Sequence, residues 1–252
     1  MRRLEVIGLE NFGEVQQGDS IARLLFKACS QGDMALMAGD LLVIAHKIVS
    51  KAEGRIVRLD EIRPSARALE LSRKLNDKDA RLLEVILKES RRIIRMGGGA
   101  IIVETHHGFI CANAGVDLSN VGPGLVALLP RDPDRSARAI REELRQLSGV
   151  APGVIISDSF GRPWRLGTVD VAIGVSGLKP LKDDRGKSDR YGYELKASVA
   201  AVADELAAAA ELVMGKSGGV PVAIIRGFPL EKGEGSVKEL LRPEAEDLFR
   251  HF

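Results

Sequence analysis

Residues 154–174 read VIISDSFGRPWRLGTVDVAIG, two apolar runs separated by a short segment crowded with polar side chains and turn residues. The first run, Val154–Ile156, stops at Ser157, and the second begins at Val169. Short β-branched runs bounded by such residues predict two strands joined by a loop. This loop holds a carboxylate, hydroxyls, two arginines and the single tryptophan of the chain, so it is a candidate site as well as a connection.

Further apolar runs on both sides of this stretch predict more strands, and helical patterns lie between them. The predicted strands are Leu4–Gly8, Leu41–Val49, Ala100–Val103, Phe109–Ala112, Leu125–Leu129, Val154–Ile156, Val169–Val175 and Val220–Ile225. The predicted helices are Ile21–Ser30, Ser65–Leu75, Lys78–Met96, Ser136–Leu147, Lys196–Met214 and Ser236–Phe249. Strands and helices interleave, but three strands come together near residues 100–129. We therefore predict an α/β class with mixed α+β sheets and not a simple doubly wound sheet.

The bulk properties of the chain predict an ordinary globular protein. It has 252 residues, of which 45% are hydrophobic and 29% charged, and its formal net charge is +2. A nearly neutral chain gives no bulk support for a nucleic-acid partner, and no apolar segment approaches the roughly 20 residues that span a bilayer. Cys29 and Cys111 follow no metal or disulfide spacing and favour a cytoplasmic setting. We expect a single unit over residues 1–252, with a weak boundary near residues 130–152.

A basic segment, AHKIVSKAEGRIV, occupies residues 45–57. Lys47 and Lys51 are four residues apart, and His46 stands beside the first. Lysines at the end of a strand can neutralise phosphate oxygens as point charges. The alternative is a solvated basic edge that binds no ligand.

Oxygen-bearing side chains follow another predicted strand in HHGFICANAGVDLSN, residues 106–120. Asp117 and Asn120 supply the oxygen ligands that a hard cation such as Mg²⁺ or Mn²⁺ prefers. The same residue types also favour plain turns. His106 and His107 suggest zinc, but adjacent side chains on a strand face opposite sides, which disfavours one shared metal.

The polar segment of the opening stretch suggests a second oxygen-rich position. Asp158 and Ser159 could together hold Mg²⁺. Arg162 and Arg165 could bind a phosphate or a carboxylate through bidentate hydrogen bonds. We expect Trp164 to pack as a wall of the cleft. The alternative is a surface turn with paired charges.

Two further polar loops are candidates for ligand contacts. Residues 214–227, MGKSGGVPVAIIRG, place Lys216 and several glycines after a predicted helix. Their spacing is not that of a P-loop, although exposed amides there could still meet phosphates. Residues 183–194, DDRGKSDRYGYE, could form a lid or a substrate loop.

Five long segments can be compared with known families. They are GDLLVIAHKIVSKAEGRIV, CANAGVDLSNVG, VIISDSFGRPWRLGTVDVAIGVSGLK, DRYGYELKASVAAVADELAAAAELVMGK and GVPVAIIRGF. Together they resemble the coenzyme F420-0:L-glutamate ligases, also called F420:γ-glutamyl ligases. The resemblance runs from the N-terminus to about residue 230. It is closest to the stand-alone form of the ligase, without the nitroreductase-like domain fused behind it in some relatives.

The resemblance implies a GTP-dependent amide ligase with a mixed α/β fold of its own. Members add L-glutamate to the lactyl-phospho-deazaflavin precursor of coenzyme F420 through an acyl phosphate, releasing GDP and phosphate. They then add further glutamates through γ-linkages. The resemblance also implies Mg²⁺ or Mn²⁺, with two ions expected, a contribution from K⁺, and a homodimer. It implies no membrane and no nucleic-acid partner.

Carried over position by position, the resemblance assigns Asp117, Asp158 and Ser159 to metal binding. To GTP binding it assigns Phe12, Gly13, Glu14, Val15, His46, Lys47, Lys51, Asn120, Gly215, Lys216, Ser217, Gly218, Gly219 and Val220. Lys216 is a departure, because some relatives carry an acid there that helps to bind a metal.

The residues themselves suggest the remaining contacts. Arg162 and Arg165 are predicted to act in catalysis by binding the phosphate of the precursor and the carboxylates of glutamate. Asp189, Tyr191 and Glu194 of the polar loop are predicted to bind substrate.

Two alternatives stay open. One is a nucleic-acid-binding module in which Trp164 stacks on a base, which the near-neutral charge disfavours. The other is a related ligase or kinase that uses the same scaffold on a different carboxylic acid.

Overall fold

The computed structural model describes residues 3–10, 12–31 and 34–249, which form twelve strands and six α-helices. The strands are β1 Glu5–Gly8, β2 Leu41–Ala45, β3 Ile56–Arg58, β4 Ser90–Gly97, β5 Ala100–Thr105, β6 Ile110–Ala112, β7 Leu125–Ala127, β8 Gly153–Arg162, β9 Arg165–Ser176, β10 Lys182–Asp183, β11 Val199–Ala200 and β12 Val222–Arg226. The helices are α1 Ile21–Gln31, α2 His46–Ala52, α3 Ala66–Lys74, α4 Ala80–Lys88, α5 Pro133–Ser148 and α6 Val202–Met214. In these residues no helix is both long and apolar enough to cross a lipid bilayer.

A five-stranded sheet in the order β1-β12-β2-β8-β9 forms the centre of the fold. Strands β2 and β8 run parallel, and the other neighbours are antiparallel, which confirms the predicted mixed class. Both faces of the sheet are covered. Leu42 and Ile44 of β2 pack into the core that includes α1 and α5, whereas Leu41 and Val43 pack into the core that includes α6. A strand buried on both faces has a continuous apolar sequence, which explains why β2 is easy to predict.

A second group of elements packs around its own core. The three-stranded sheet β4-β5-β6 and the pair β3-β7 pack with α3 and α4. Leu83, Ile86, Val103 and Val126 are buried in the cluster that they form. The loop that follows β6 leaves this group and reaches the edge of the five-stranded sheet, where the candidate site lies.

The opening stretch of the sequence is one long β-hairpin and not two strands joined by a loop. Strand β8 continues without interruption through Ser157, Asp158 and Ser159. Strand β9 begins at Arg165 after a turn in which Trp164 has a φ of 57°. A ladder needs only backbone partners, so polar side chains can occupy a strand where they find hydrogen-bond partners, as the buried Ser157 does in Asp170. The prediction of a loop between the two apolar runs is wrong for this reason.

Two predicted elements change type partway along. The strand predicted over Leu41–Val49 ends at Ala45, and α2 begins directly at His46. The helix predicted over Lys78–Met96 ends at Lys88 and is followed by β4. The β4 segment contains consecutive isoleucines and pairs with β5, where β-branched side chains are favoured.

Of two further predicted helices, one is shorter than its pattern indicates and the other does not form. The helix predicted over Lys196–Met214 begins only at Val202, because the residues before it form β11 and pair with β10. The helix predicted over Ser236–Phe249 is absent, and two short 3₁₀ turns separated by Pro243 stand in its place. Proline lacks a backbone N–H and clashes with the preceding turn, so it prevents one continuous helix.

Helix α5 packs closely against β9 through its first turn. Asp134 accepts hydrogen bonds from the backbone N–H of Val175 at 2.8 Å and from Ser236 Oγ at 2.6 Å. Pro133 lies over Gly174, where an added Cβ would come within 2.5 Å of the carbonyl carbon of the proline. The hairpin that carries the candidate site is therefore fixed by α5.

We predict that Gly174→Ala lowers the free energy of unfolding by about 1–3 kcal/mol, because the added methyl group has to displace the backbone of Pro133. Gly161→Ala is the matched control in the same hairpin, since a Cβ there meets nothing within 4 Å. We expect the control to change the free energy by less than about 0.5 kcal/mol. Urea denaturation measures both values, and equal effects would contradict the close packing of α5 on β9.

Candidate active site

A cavity of about 530 Å³ lies where the parallel ladder of β2 and β8 ends. The last pair is Ala45 with Ser157, after which the chain of β2 turns into α2 while β8 continues beside β9. Side chains at this edge have lost one neighbouring strand, as at the carboxyl ends of parallel strands in other α/β folds. The loops before α1, after β6 and after α6 line the remaining sides.

Most residues that the sequence assigns to metal or nucleotide binding line this cavity. They are Gly13, Glu14, His46, Lys47, Lys51, Asp117, Asn120, Asp158, Ser159, Gly215, Lys216, Gly219 and Val220. They come from segments spread over nearly the whole chain, and the fold brings them together. This convergence supports a shared site, and the role of each residue stays a prediction.

The other predicted residues do not line the cavity. Phe12 and Val15 are buried in the core, whereas Gly13 and Glu14 between them line the cavity. Arg162 and Arg165 lie near the turn of the β8–β9 hairpin, where Arg162 donates to the carbonyl of Leu166 at 2.8 Å. Also outside are Ser217, Gly218, Asp189, Tyr191 and Glu194.

Trp164 forms no wall of the cavity, which corrects the expectation from the sequence. Its side chain is 84% exposed at the turn of the hairpin. Its ring meets the ring of Phe249 edge-on, with 4.9 Å between the centroids. The tryptophan therefore packs against the C-terminal segment.

The polar loop of residues 183–194 is shaped by its own hydrogen bonds. Asp189 Oδ1 accepts from the backbone N–H groups of Tyr191 and Tyr193 at 2.8 and 2.9 Å. The guanidinium of Arg190 lies 4.9 Å from the ring centroid of Tyr191. Local turn chemistry accounts for these residue types, and substrate binding by the loop stays a prediction.

Lys47 and Lys51 lie one turn apart on α2 and not at the end of a strand. Lys47 Nζ is 2.8 Å from Asp117 Oδ2, and Lys51 Nζ is 2.5 Å from Glu14 Oε1. A spacing of four residues puts both ammonium groups on one face of a helix. Each lysine is thus paired with a carboxylate from a different loop of the cavity.

The Asp117 carboxyl is held in its ionised form. Burial by itself raises its pKa, but the hydrogen bonds from Lys47 and Ser119, together with the charge of Lys47, outweigh burial and leave the pKa below its ordinary value. Its backbone is fixed by a pair of hydrogen bonds with Ala127, at 2.8 and 3.0 Å. A fixed, ionised carboxylate that faces a cavity is suited to binding a cation.

His46 leaves a buried nitrogen without a hydrogen-bond partner next to Asp158. Its Nε2 lies 3.4 Å from Asp158 Oδ1 and is unpaired within the part of the chain that the structure describes. On the other side of the ring, Nδ1 lies 3.3 Å from Ser50 Oγ, whose proton goes to the carbonyl of Leu128 at 2.6 Å. If Nδ1 donates to Ser50 Oγ, a neutral ring turns the Nε2 lone pair towards the carboxylate of Asp158.

Asp170 is a cavity residue that the sequence motifs do not reveal. It lies opposite Ser159 in the β8–β9 ladder, and its carboxylate accepts from Ser159 Oγ at 2.5 Å and from Ser157 Oγ at 2.9 Å. Lys216 Nζ donates to the same Ser159 Oγ at 2.7 Å. One signal was available, since Asp170 is the charged residue in the otherwise apolar run 169–175, and a charge in such a run needs a polar partner.

Side chains of the described residues form no metal site by themselves, since no three His, Cys, Asp or Glu side chains come close enough together to hold an ion. His106 and His107 each bind a backbone carbonyl at 2.9 Å and do not line the cavity. Asp117, Asp158 and Ser159 carry hard oxygen donors of the type that Mg²⁺ and Mn²⁺ prefer, and these ions usually complete their coordination with phosphate oxygens and water.

Comparisons with known proteins identify a family. Residues 11–227 match the family described as F420-0:Gamma-glutamyl ligase. Curated proteins named Coenzyme F420:L-glutamate ligase are similar over almost their whole length. The one from Methanothermobacter thermautotrophicus is 51% identical over 98% of this chain and 99% of its own. Those from Methanopyrus kandleri and Archaeoglobus fulgidus are 49% and 42% identical, each over 98% of this chain and 97% of its own. The matches confirm the resemblance found in the motifs.

We predict that neither cysteine of the folded protein reacts with Ellman's reagent at about pH 8. Burial, and then the charge of Asp158, raise the pKa of the Cys111 thiol to about 12. Burial, and then Asp40, also raise the pKa of the Cys29 thiol. Below its pKa a thiol is protonated, and only the thiolate is the nucleophile. Both thiols should react after denaturation, and a fast-reacting thiol in the native protein would contradict their burial.

Proposed function

The chain belongs to the F420-0:gamma-glutamyl ligase family, and we propose that it joins L-glutamate to the deazaflavin precursor of coenzyme F420 in a GTP-dependent reaction. As a member of this family it is a ligase that forms an amide bond. One observation carries the finer proposal. A single cavity brings Lys47, Lys51 and Lys216 together with the carboxylates of Asp117 and Asp158.

The reaction needs an activated acid, because oxide is too poor a leaving group for a free carboxylate to form an amide. In the proposed first step a carboxylate oxygen of the precursor attacks the γ-phosphorus of GTP. The bond from that phosphorus to the β–γ bridging oxygen breaks, and GDP leaves. The glutamate nitrogen then attacks the acyl carbon, phosphate leaves with the bonding electron pair, and the nitrogen loses a proton. Repetition on the γ-carboxylate of the added glutamate would give γ-linked chains.

Lys47, Lys51 and Lys216 are the proposed partners of the triphosphate. Two of these ammonium groups hold carboxylates that a phosphate oxygen can replace. Phosphoryl transfer depends on positioning and charge neutralisation more than on a protein nucleophile. A cavity with several fixed cations suits that requirement. The rest of the nucleotide would contact residues 12–15 and 215–220 and the side chain of Asn120.

Asp117, Asp158 and Ser159 would hold Mg²⁺ or Mn²⁺. They are hard oxygen donors, and the buried Nε2 of His46, which lies 3.4 Å from Asp158 Oδ1, has no hydrogen-bond partner among the described residues. A bound cation would neutralise phosphate charge during the transfer. Two divalent ions and K⁺ belong to the proposal. Lys216 Nζ contacts Ser159 Oγ, so binding of a second ion there would require the lysine to move.

Arg162 and Arg165 are proposed to bind the phosphate of the precursor and the carboxylates of glutamate. They lie on the same hairpin as Asp158, so a long substrate could extend along the hairpin from the cavity. The loop of residues 183–194 is proposed as a further substrate contact. A homodimer is also part of the proposal.

A related ligase or kinase for another carboxylic acid is the second candidate. It is favoured by the position of the two arginines and of the loop 183–194 outside the cavity, which leaves the identity of the acid open. The nucleic-acid alternative has less support, because Lys47 and Lys51 are paired with carboxylates in a cavity and form no open basic face.

We predict that the protein, given GTP, Mn²⁺, L-glutamate and the deazaflavin precursor, releases GDP and increases the mass of the precursor by one glutamyl unit. Asp158→Asn should lower kcat/KM by at least about 100-fold. Losing a direct cation ligand should cost more than the roughly 10–100-fold effect of losing an outer partner. Mass spectrometry and steady-state kinetics measure the two effects.

Asp60→Asn is the control, since Asp60 is exposed, pairs with Arg58 and does not line the cavity. It should keep full activity. Equal use of ATP would contradict the nucleotide assignment, and full activity of Asp158→Asn would contradict the site. Sedimentation velocity of the same sample tests the homodimer, which should show a mass near twice 27.2 kDa.

We predict that Arg165→Ala raises KM for the precursor or for L-glutamate by about tenfold or more, because a hydrogen bond to a charged group is worth roughly 1.5–3 kcal/mol. KM for GTP should not change. Arg58→Ala, which removes an exposed arginine outside the cavity, is the control. Unchanged KM values for all three substrates in Arg165→Ala would remove the arginine from the substrate site.

A further inference from the structure

Asp170 binds two hydroxyl groups of β8 at once. It lies opposite Ser159 in the β8–β9 ladder, is 7% exposed, and lines the cavity together with Asp158. Oδ1 accepts from Ser159 Oγ at 2.5 Å, and Oδ2 accepts from Ser157 Oγ at 2.9 Å. Both carboxylate oxygens are therefore engaged by hydroxyl protons of the neighbouring strand.

The direction of these hydrogen bonds follows from the groups involved. An ionised carboxylate only accepts, and a serine hydroxyl has one proton to donate. Ser159 uses its one hydroxyl proton in the hydrogen bond that it donates to Asp170. The lone pairs of its oxygen can then only accept. Lys216 already uses one of them, since its ammonium group donates to Ser159 Oγ at 2.7 Å. Ser159 thus presents an acceptor oxygen to the cavity, and that oxygen binds a positive charge.

We infer that Asp170 is a positioning residue that makes Ser159 a cation ligand. By holding the hydroxyl proton, Asp170 keeps the lone pairs of Oγ free for the cavity and makes this oxygen more basic. Carboxylates behind metal-bound histidines act on their ligands in the same way. The inference rests on the proposed function, which places divalent cations in this cavity, where Asp158 stands on one wall and Ser159 on the other. In this role Asp170 acts through Ser159 and does not bind the cation itself.

Asp204 provides a matched comparison for Asp170. It is a half-buried aspartate of α6 that also attaches to β9, where its carboxylate accepts from the backbone N–H of Ala172 at 2.9 Å. It does not line the cavity. Replacing either aspartate by asparagine removes one carboxylate and keeps the size of the side chain, but only Asp170 contacts Ser159.

The test uses Mn²⁺ alone as the probe, with the free ion measured by electron paramagnetic resonance during titration with the protein. Asp170→Asn should raise the dissociation constant roughly 10–100-fold, because an amide can donate to Ser159 and turn the hydroxyl proton towards the cation. Asp204→Asn should bind Mn²⁺ like the unaltered chain. Ser159→Ala should weaken binding as Asp170→Asn does. The two together should add no further loss, because they act on one ligand.

Unaltered Mn²⁺ affinity in Asp170→Asn or in Ser159→Ala overturns the inference. If Asp170→Asn fails to fold, Ser159→Ala still provides this test. A further loss when Asp170→Asn is added to Ser159→Ala also overturns it, because Asp170 then acts by another route. Asp158→Asn separates this inference from the proposed function. If that variant keeps its affinity, the ion binds elsewhere and both are wrong. If it loses affinity while Ser159→Ala keeps it, only the inference is wrong.

Discussion

The parallel ladder of β2 and β8 stops at Ala45 and Ser157, and the cavity depends on where it stops. Up to that pair β8 has a strand on each side. Beyond it the backbone is still fixed by β9, but the place of β2 is free. Successive side chains of a strand point to opposite faces. Asp158 therefore lies against His46 of α2, while Ser159 contacts Lys216 in the loop after α6. One rigid segment therefore serves two walls of the cavity, and a strand positions side chains more accurately than a loop does.

The sequence predicts the sheet better than it predicts where strands end, because hydrophobic patterns report burial and not backbone pairing. The run Val154–Ile156 ends at Ser157, so the pattern predicts a loop where β8 continues past a bulge and stays paired with β9. The opposite error occurs after β2. There Ile48 and Val49 are buried in α2, so the apolar pattern continues through the change from strand to helix at His46.

The candidate site could be predicted in part for the same reason. Asp117 and Asp158 closely follow apolar runs, and Lys47 belongs to a basic segment with His46 and Lys51; the fold brings these residues to one cavity. Asp170 escapes such reasoning because it interrupts a run and does not end one. Its connection to Ser159 depends on the antiparallel register of β8 and β9, and that register is set by the bulge and turn of the hairpin, which the hydrophobic pattern does not specify.

The charges of the cavity are balanced within the protein itself. Lys47 is paired with Asp117 and Lys51 with Glu14, and both lysines are largely shielded from water. Breaking the Lys47 pair to bind a phosphate alone leaves the partly buried carboxylate of Asp117 unpaired, which is unfavourable. The proposed binding of a triphosphate together with a divalent cation would avoid this cost, because Lys47 would exchange its carboxylate for a phosphate while Asp117 would exchange the lysine for the cation. The same pairing that stabilises the cavity therefore favours joint binding of an anion and a cation over binding of either one.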